Sequence, residues 1–197
     1  VHNRGGAWPV LALELGAAVG CQFEFTNPVA VRPGGEHVAC VLGMGKVVTC
    51  RALPSGAEAF ALDRSHLGGS VMGLCWSPGG DMLLVWGSFG TAVFDAAGAK
   101  LKVLSDEGQI VYSAAFSADG ARLATAGGSN KILVRDTATW DVTHALPLGG
   151  VGGSPCFDTA GECVAAYTVD GSPAGSVIVH RLDGSAAPER FPDANAS

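Results

Sequence analysis

At 197 residues, 48% of them hydrophobic and 15% charged, the sequence is too apolar for a disordered chain and long enough to bury a sizeable core. Its net charge of −6 at pH 7 and the scatter of its 12 Lys and Arg residues argue against a surface built for nucleic-acid phosphates. The 29 glycines, about twice the usual share and without a collagen-like period, point to many tight turns between short strands.

No apolar run reaches the roughly 18 to 20 residues that span a bilayer; the best, Trp8 to Val19, is interrupted by Glu14. No basic stretch followed by an apolar one and a small-residue cleavage site opens the sequence. A soluble, cytoplasmic protein without a membrane span is expected.

In chain order, Pro9 to Leu15 and Val19 to Phe25 read as two strands, the second setting Cys21, Phe23 and Phe25 against Gln22 and Glu24. Four self-similar segments follow: VAVRPGGEHVACVL from Val29, GLCWSPGGDMLLVW from Gly73, AAFSADGARLATAG from Ala114 and SPCFDTAGECVAAY from Ser154. In each, an apolar strand runs into a polar turn that closes on glycine. These are Gly35, Gly80, Gly120 and Gly161, spaced 80 − 35 = 45, 120 − 80 = 40 and 161 − 120 = 41 residues apart.

A second strand follows each turn. Third strands are predicted at Val47 to Arg51, Thr91 to Asp95, Lys131 to Asp136 and Ser176 to Arg181. Fourth stretches come at Glu58 to Leu62, Leu101 to Leu104, Val142 to Leu146 and Glu189 to Phe191. Four short strands at this period make one blade of a β-propeller. The chain then divides into trailing strands of a preceding blade (1–28), four repeats (29–65, 66–105, 106–148 and 149–192) and a tail (193–197).

FSADGARLATAGGSNKILVRD, beginning at Phe116, resembles the core of a WD repeat, and CWSPGGDMLLVWGSFGTAVFD, beginning at Cys75, resembles it nearly as well. The family's Trp-Asp pair falls on Arg135-Asp136 and Phe94-Asp95, and in the outer repeats on Cys50-Arg51 and His180-Arg181, so none keeps the tryptophan. Its Gly-His pair falls on Asp106-Glu107 and is echoed by Ser65-His66, which breaks the family's His/Ser/Trp/Asp network. The resemblance implies an all-β propeller of WD-type four-stranded blades, about four and a remnant, part of a usually seven-bladed ring. It further implies a scaffold that binds other proteins within a complex, and an open arc of blades that self-associates through its edges.

A secondary resemblance points elsewhere. VHNR at the start and NPVAVRPGGEHVAC from Asn27 are similar to the degenerate propeller of the endoplasmic-reticulum exchange factor that loads the small GTPase of secretory coats. In that family a cation-binding loop includes an asparagine, which Asn3 would match.

Motifs for chemistry are few. His2, His37, His66, His144 and His180 lack any paired metal-ligand spacing, so no metal is expected. LGMGKVVT, around Gly43, Gly45 and Lys46, lacks the spacer and the Ser/Thr of a phosphate loop and reads as a hairpin turn. LGGVGGSP, from Leu148 to Pro155, reads as a flexible loop between blades. No G-x-S-x-G elbow occurs, and Asp63, Asp106, Glu107 and Asp119 read as solvated acids.

The six cysteines form no C-x-x-C pair, although Cys156 and Cys163 are placed to face each other across a hairpin. No catalytic residue, cofactor or enzymatic activity is expected. Loops on rigid supports carry recognition, which makes Asp63, Arg64, His66, Asp106, Glu107, Asn130, Lys131 and Asp170 the binding candidates. Val38, Leu74, Trp76, Phe116, Leu123, Ile132, Val134, Phe157 and Val179 are predicted to point inward.

Overall fold

The computed structural model describes residues 28–43, 45–63, 65, 67–88, 90–104, 110–169 and 175–192. The strands predicted before Pro28, and Asn3, Arg64, His66, Asp106, Glu107 and Asp170, lie outside the described residues. Sixteen strands, and no helix, occur among the described residues.

They form four antiparallel sheets, each an up-and-down meander in sequence order. Sheet one holds β1 (Val29–Val31), β2 (His37–Leu42), β3 (Val47–Ala52) and β4 (Glu58–Ala61). Sheet two holds β5 (Val71–Trp76), β6 (Met82–Gly87), β7 (Gly90–Asp95) and β8 (Lys100–Leu104). Sheet three holds β9 (Val111–Phe116), β10 (Arg122–Gly127), β11 (Lys131–Asp136) and β12 (Val142–Pro147). Sheet four holds β13 (Val151–Phe157), β14 (Cys163–Val169), β15 (Ser176–Arg181) and β16 (Glu189–Pro192).

The turn between the first two strands is built the same way four times. The amides of Gly35, Gly80, Gly120 and Gly161 donate to the carbonyls of Arg32, Ser77, Ser117 and Asp158 at 2.9 to 3.1 Å. Each of these glycines sits at φ between 71° and 77°, left-handed backbone that a side chain would strain. The first residue of each turn then donates its own amide across to the start of the second strand, for example Ser77 N to Met82 O at 2.8 Å.

Three apolar cores separate the sheets. Ala39, Val41, Val48 and Cys50 of sheet one meet Leu74, Trp76, Leu83, Val85 and Phe94 of sheet two. Leu84, Trp86, Val93 and Leu104, on sheet two's other face, meet Val111 and Leu123 of sheet three. Ala124, Ala126, Ile132 and Val134 meet Val164, Ala166 and Ile178 of sheet four. Each large aliphatic removed from water here contributes on the order of 1.5 to 3 kcal/mol. A strand sandwiched between two sheets must be apolar on both faces, which is why Leu83–Gly87 and Leu123–Gly127 are buried without a break.

The first strands line up along the inner side of this row, β5 packing on β1 and β9, and β9 on β13. The fourth strands lie outside and are largely exposed. Side chains also donate across the gaps. Trp76 Nε1 reaches Ala30 O at 3.2 Å, Trp86 Nε1 reaches Tyr112 O at 3.3 Å, and His180 Nε2 reaches Pro147 O at 2.9 Å. Arg135 is buried and donates to Thr125 Oγ1 at 3.2 Å.

Three expectations need correction. Val179 is half-buried and belongs to the opposite face from Ser176, Ile178 and His180, which point toward sheet three; Phe116 and Phe157 are also only half-buried, at the margins of their cores. The loop assigned to LGGVGGSP ends at Gly150, because β13 starts at Val151. Glycine is required within that strand, since a Cβ on Gly152 would lie 2.3 Å from Tyr167 O. Cys156 opposes Ala165 rather than Cys163, a register that a bulge between Gly153 and Cys156 imposes, and both thiols are free.

Candidate functional site

Because every sheet is an up-and-down meander, its loops fall at two ends. The turns joining first to second and third to fourth strands form one rim. The turns joining second to third strands, with the connections between sheets, form the other. The three loop candidates among the described residues, Asp63, Asn130 and Lys131, belong to this second rim.

The three described candidates do not converge. Asp63, after sheet one, is exposed and accepts from Ser65 N at 3.0 Å and Ser65 Oγ at 3.1 Å, with Lys100 Nζ 3.9 Å away. An exposed pair at that range contributes little. Asn130 sits at φ 58°, and its Oδ1 accepts from Gly150 N at 2.6 Å, tying the β10–β11 turn to the connection that leads into sheet four. Lys131 begins β11 beside it and is half-buried.

The first rim holds a cleft of about 590 Å³ between sheets two and three, lined among others by Ser77, Asp81, Asp119, Ala121, Asp136 and Thr137. None of these is a binding candidate by sequence; Asp119 reads there as a solvated acid able to bond the turn backbone, and it does accept from Ala121 N at 3.0 Å. Their signal is the serine that opens the turn at Ser77 and Ser117, and the aspartate that ends β11. Ser77 Oγ donates to Asp81 Oδ1 and Ser117 Oγ to Asp119 Oδ1, both at 2.6 Å. Asp136 Oδ1 accepts from the amides of Ala138 at 2.8 Å and Thr139 at 3.0 Å. Thr137 Oγ1 donates to Gly120 O at 2.7 Å and locks the two kinds of turn together.

The Ser117 hydroxyl, and after it the Ala121 amide, hold the Asp119 carboxyl below the usual carboxylate range. All these bonds fall on Oδ1, which leaves Oδ2 of each carboxylate outside the turns' own hydrogen bonding. The cleft therefore combines a rigid frame with three negative charges and an open polar surface. Among the described residues, no group of three or more His, Cys, Asp or Glu is placed to hold a metal ion.

No helix among the described residues is long and apolar enough to cross a membrane. No family model matches the sequence, and no curated protein matches it significantly. Solved structures do match, 1278 chains in all, so this architecture is widely shared and does not by itself select a function. Among them, hydrazine synthase of Kuenenia stuttgartiensis is similar with a TM-score of 0.69 at 16% sequence identity. The similarity covers 84% of this chain and 53% of that one, so the chain spans about half the length of its neighbour. Identity that low shows the fold alone: the four sheets are blades of a β-propeller.

Proposed function

We propose that this chain is a WD-type scaffold, cytoplasmic and without catalytic activity, that holds partner proteins against its loop rims within a multiprotein complex. The observation that carries this reading is the division of labour in the blades. The strand faces that meet between the sheets are occupied by packing, while the turn rim opens a polar cleft of about 590 Å³ on a frame fixed by hydrogen bonds. A rigid support with solvated loops is the arrangement that recognition sites use.

The test is recovery of the tagged full chain with its complex from its own cells, followed by substitution of each rim in turn. Ala121→Arg with Ala138→Arg places two long side chains at the cleft, where both alanines are exposed. Asp63→Lys with Lys131→Glu alters the opposite rim. Loss of a stoichiometric partner by one pair and not the other locates the contact. Retention of the same partners by both folded variants would refute rim binding.

A further inference from the structure

On the turn rim, an arginine bridges two of the three gaps between the sheets. In the first gap, Arg32 opens the β1–β2 turn, and its Nε donates to Gly80 O of sheet two at 2.6 Å. In the third, Arg122 begins β10, and its guanidinium donates to Gly161 O of sheet four. In both cases the acceptor is the carbonyl of the glycine that closes the following sheet's turn.

The middle gap is built without that arginine. Ser77 holds in sheet two's turn the place of Arg32, and Met82 begins β6 as Arg122 begins β10. Met82 has no donor, and the single hydroxyl proton of Ser77 goes to Asp81 Oδ1. The matching acceptor, Gly120 O, takes the Thr137 hydroxyl of its own sheet at 2.7 Å, and a carbonyl has a second lone pair to offer. The cleft of about 590 Å³ opens at this place.

Carboxylates alone would not name a ligand. The adjoining gaps do, because each seats a guanidinium on the carbonyl that the middle gap leaves to its own sheet. The cleft walls suit the same group. Asp81 and Asp119 are exposed and Asp136 is half-buried, each with Oδ2 beyond its turn's own bonds. Half-buried Met82 gives a methylene stem an apolar surface to lie on. The three carboxylates are not grouped closely enough to hold a metal ion, which favours a planar cation with five spread donors over a point charge. Arg122 also acts on the Asp119 carboxyl, but less than Ser117 and Ala121 do, and its guanidinium is turned to Gly161 O.

We propose that this cleft receives an arginine side chain of a partner protein, its guanidinium donating to Gly120 O and to the open oxygens of Asp119 and Asp136. This names the partner's chemistry within the rim-binding reading and rests on it.

The full chain, isotope-labelled for NMR, is titrated with acetyl-Gly-Arg-Gly-amide and with its lysine and citrulline counterparts. The arginine peptide should shift the Ala121 and Ala138 amides saturably. The lysine peptide should bind several-fold more weakly, and the citrulline peptide, similar in shape but uncharged, should leave these amides unmoved. Asp119→Asn with Asp136→Asn keeps the Oδ1 acceptors of both turns and should weaken binding at least several-fold. Met82→Arg supplies the bridge from within and should abolish binding without lowering the melting temperature. Equal binding of the three peptides, shifts that gather at Asp63 and Lys131 on the opposite rim, or the absence of any saturable shift overturns the proposal. So does undiminished binding by the folded double-asparagine variant. Rim binding is judged apart from this: a partner lost on Ala121→Arg with Ala138→Arg, yet retained by the double-asparagine and Met82→Arg variants, leaves rim binding standing and refutes the arginine site.

Discussion

Gly73→Ala tests how closely sheets two and three are fitted. Gly73 lies opposite Trp86 in the β5–β6 register, and a Cβ on it would sit 2.0, 2.3 and 2.8 Å from three indole carbons. Carbon atoms pack at about 3.5 to 4.0 Å, so the ring must retreat by roughly 1.5 Å. That movement carries it out of the core it forms with Leu84, Val93, Leu104, Val111 and Leu123, and breaks its bond to Tyr112 O. Overpacking costs about 1 to 3 kcal/mol and the lost hydrogen bond about 0.5 to 1.5, so a total near 2 to 4 kcal/mol is expected. Trp86→Ala alone should cost about 3 to 5 kcal/mol through the cavity it leaves. With the ring removed, Gly73→Ala has nothing to strike and should be close to neutral. The two changes should therefore couple by about 2 to 4 kcal/mol, the whole cost of Gly73→Ala in the native background, measured by urea unfolding followed by circular dichroism. Equal costs of Gly73→Ala in the presence and absence of Trp86 would refute the steric argument.

Three further outcomes are expected. Arg135, only 2% exposed and among the largest fully buried side chains, should cost about 3 to 5 kcal/mol on replacement by alanine, as for other large buried groups; urea midpoints measure it, and a cost below about 1 would mean the site collapses freely. His180 is 4% exposed, and burial, opposed by its bond to Pro147 O and reinforced by Arg190, holds its pKa below the usual 6.5. The folded state thus binds fewer protons than the unfolded one, and stability present above pH 6.5 declines as the pH falls through that value toward the lowered folded pKa; the melting temperature of His180→Gln should fall less over the same window, and parallel curves would overturn this. Among the described thiols, Cys156 is exposed whereas Cys75 is pushed up to about 12 by burial; Ellman's reagent should modify Cys156 in the native protein and reach Cys40, Cys50 and Cys75 only on unfolding.

What could be read from the sequence was what the repeat enforces through the backbone. Gly35, Gly80, Gly120 and Gly161 were legible because each turn needs left-handed φ at its close, and the third-strand positions followed from alternation. Val179 was misplaced because β15 carries apolar residues on both faces while only one is covered, so hydrophobicity could not choose between Ile178 and Val179. Arg135 escaped a core assignment because a lone arginine in a strand ordinarily reads as solvated. The cleft was not legible because its carboxylates come from two kinds of turn, Asp81 and Asp119 from first-to-second turns 119 − 81 = 38 residues apart and Asp136 from the end of a third strand. Only the packing of sheet two beside sheet three brings them to one opening.

The same turns show why function attaches to the rims. The backbone bond that closes each turn is constant, yet the residue that opens it is Arg32, Ser77, Ser117 or Asp158, and these side chains act in three different ways. Arg32 Nε reaches across to Gly80 O at 2.6 Å, Ser77 and Ser117 bind a neighbouring aspartate, and Asp158 Oδ1 accepts the amides of Glu162 and Cys163 at 2.8 and 2.9 Å. The fold therefore constrains main chain and glycine at the rim while leaving the side chains free to differ from blade to blade. On the strand faces the freedom runs the other way, as volume at one position is matched by its neighbour: glycine opposite Trp86, serine opposite Ala126. Substitutions at the rim can therefore alter its chemistry without disturbing the cores.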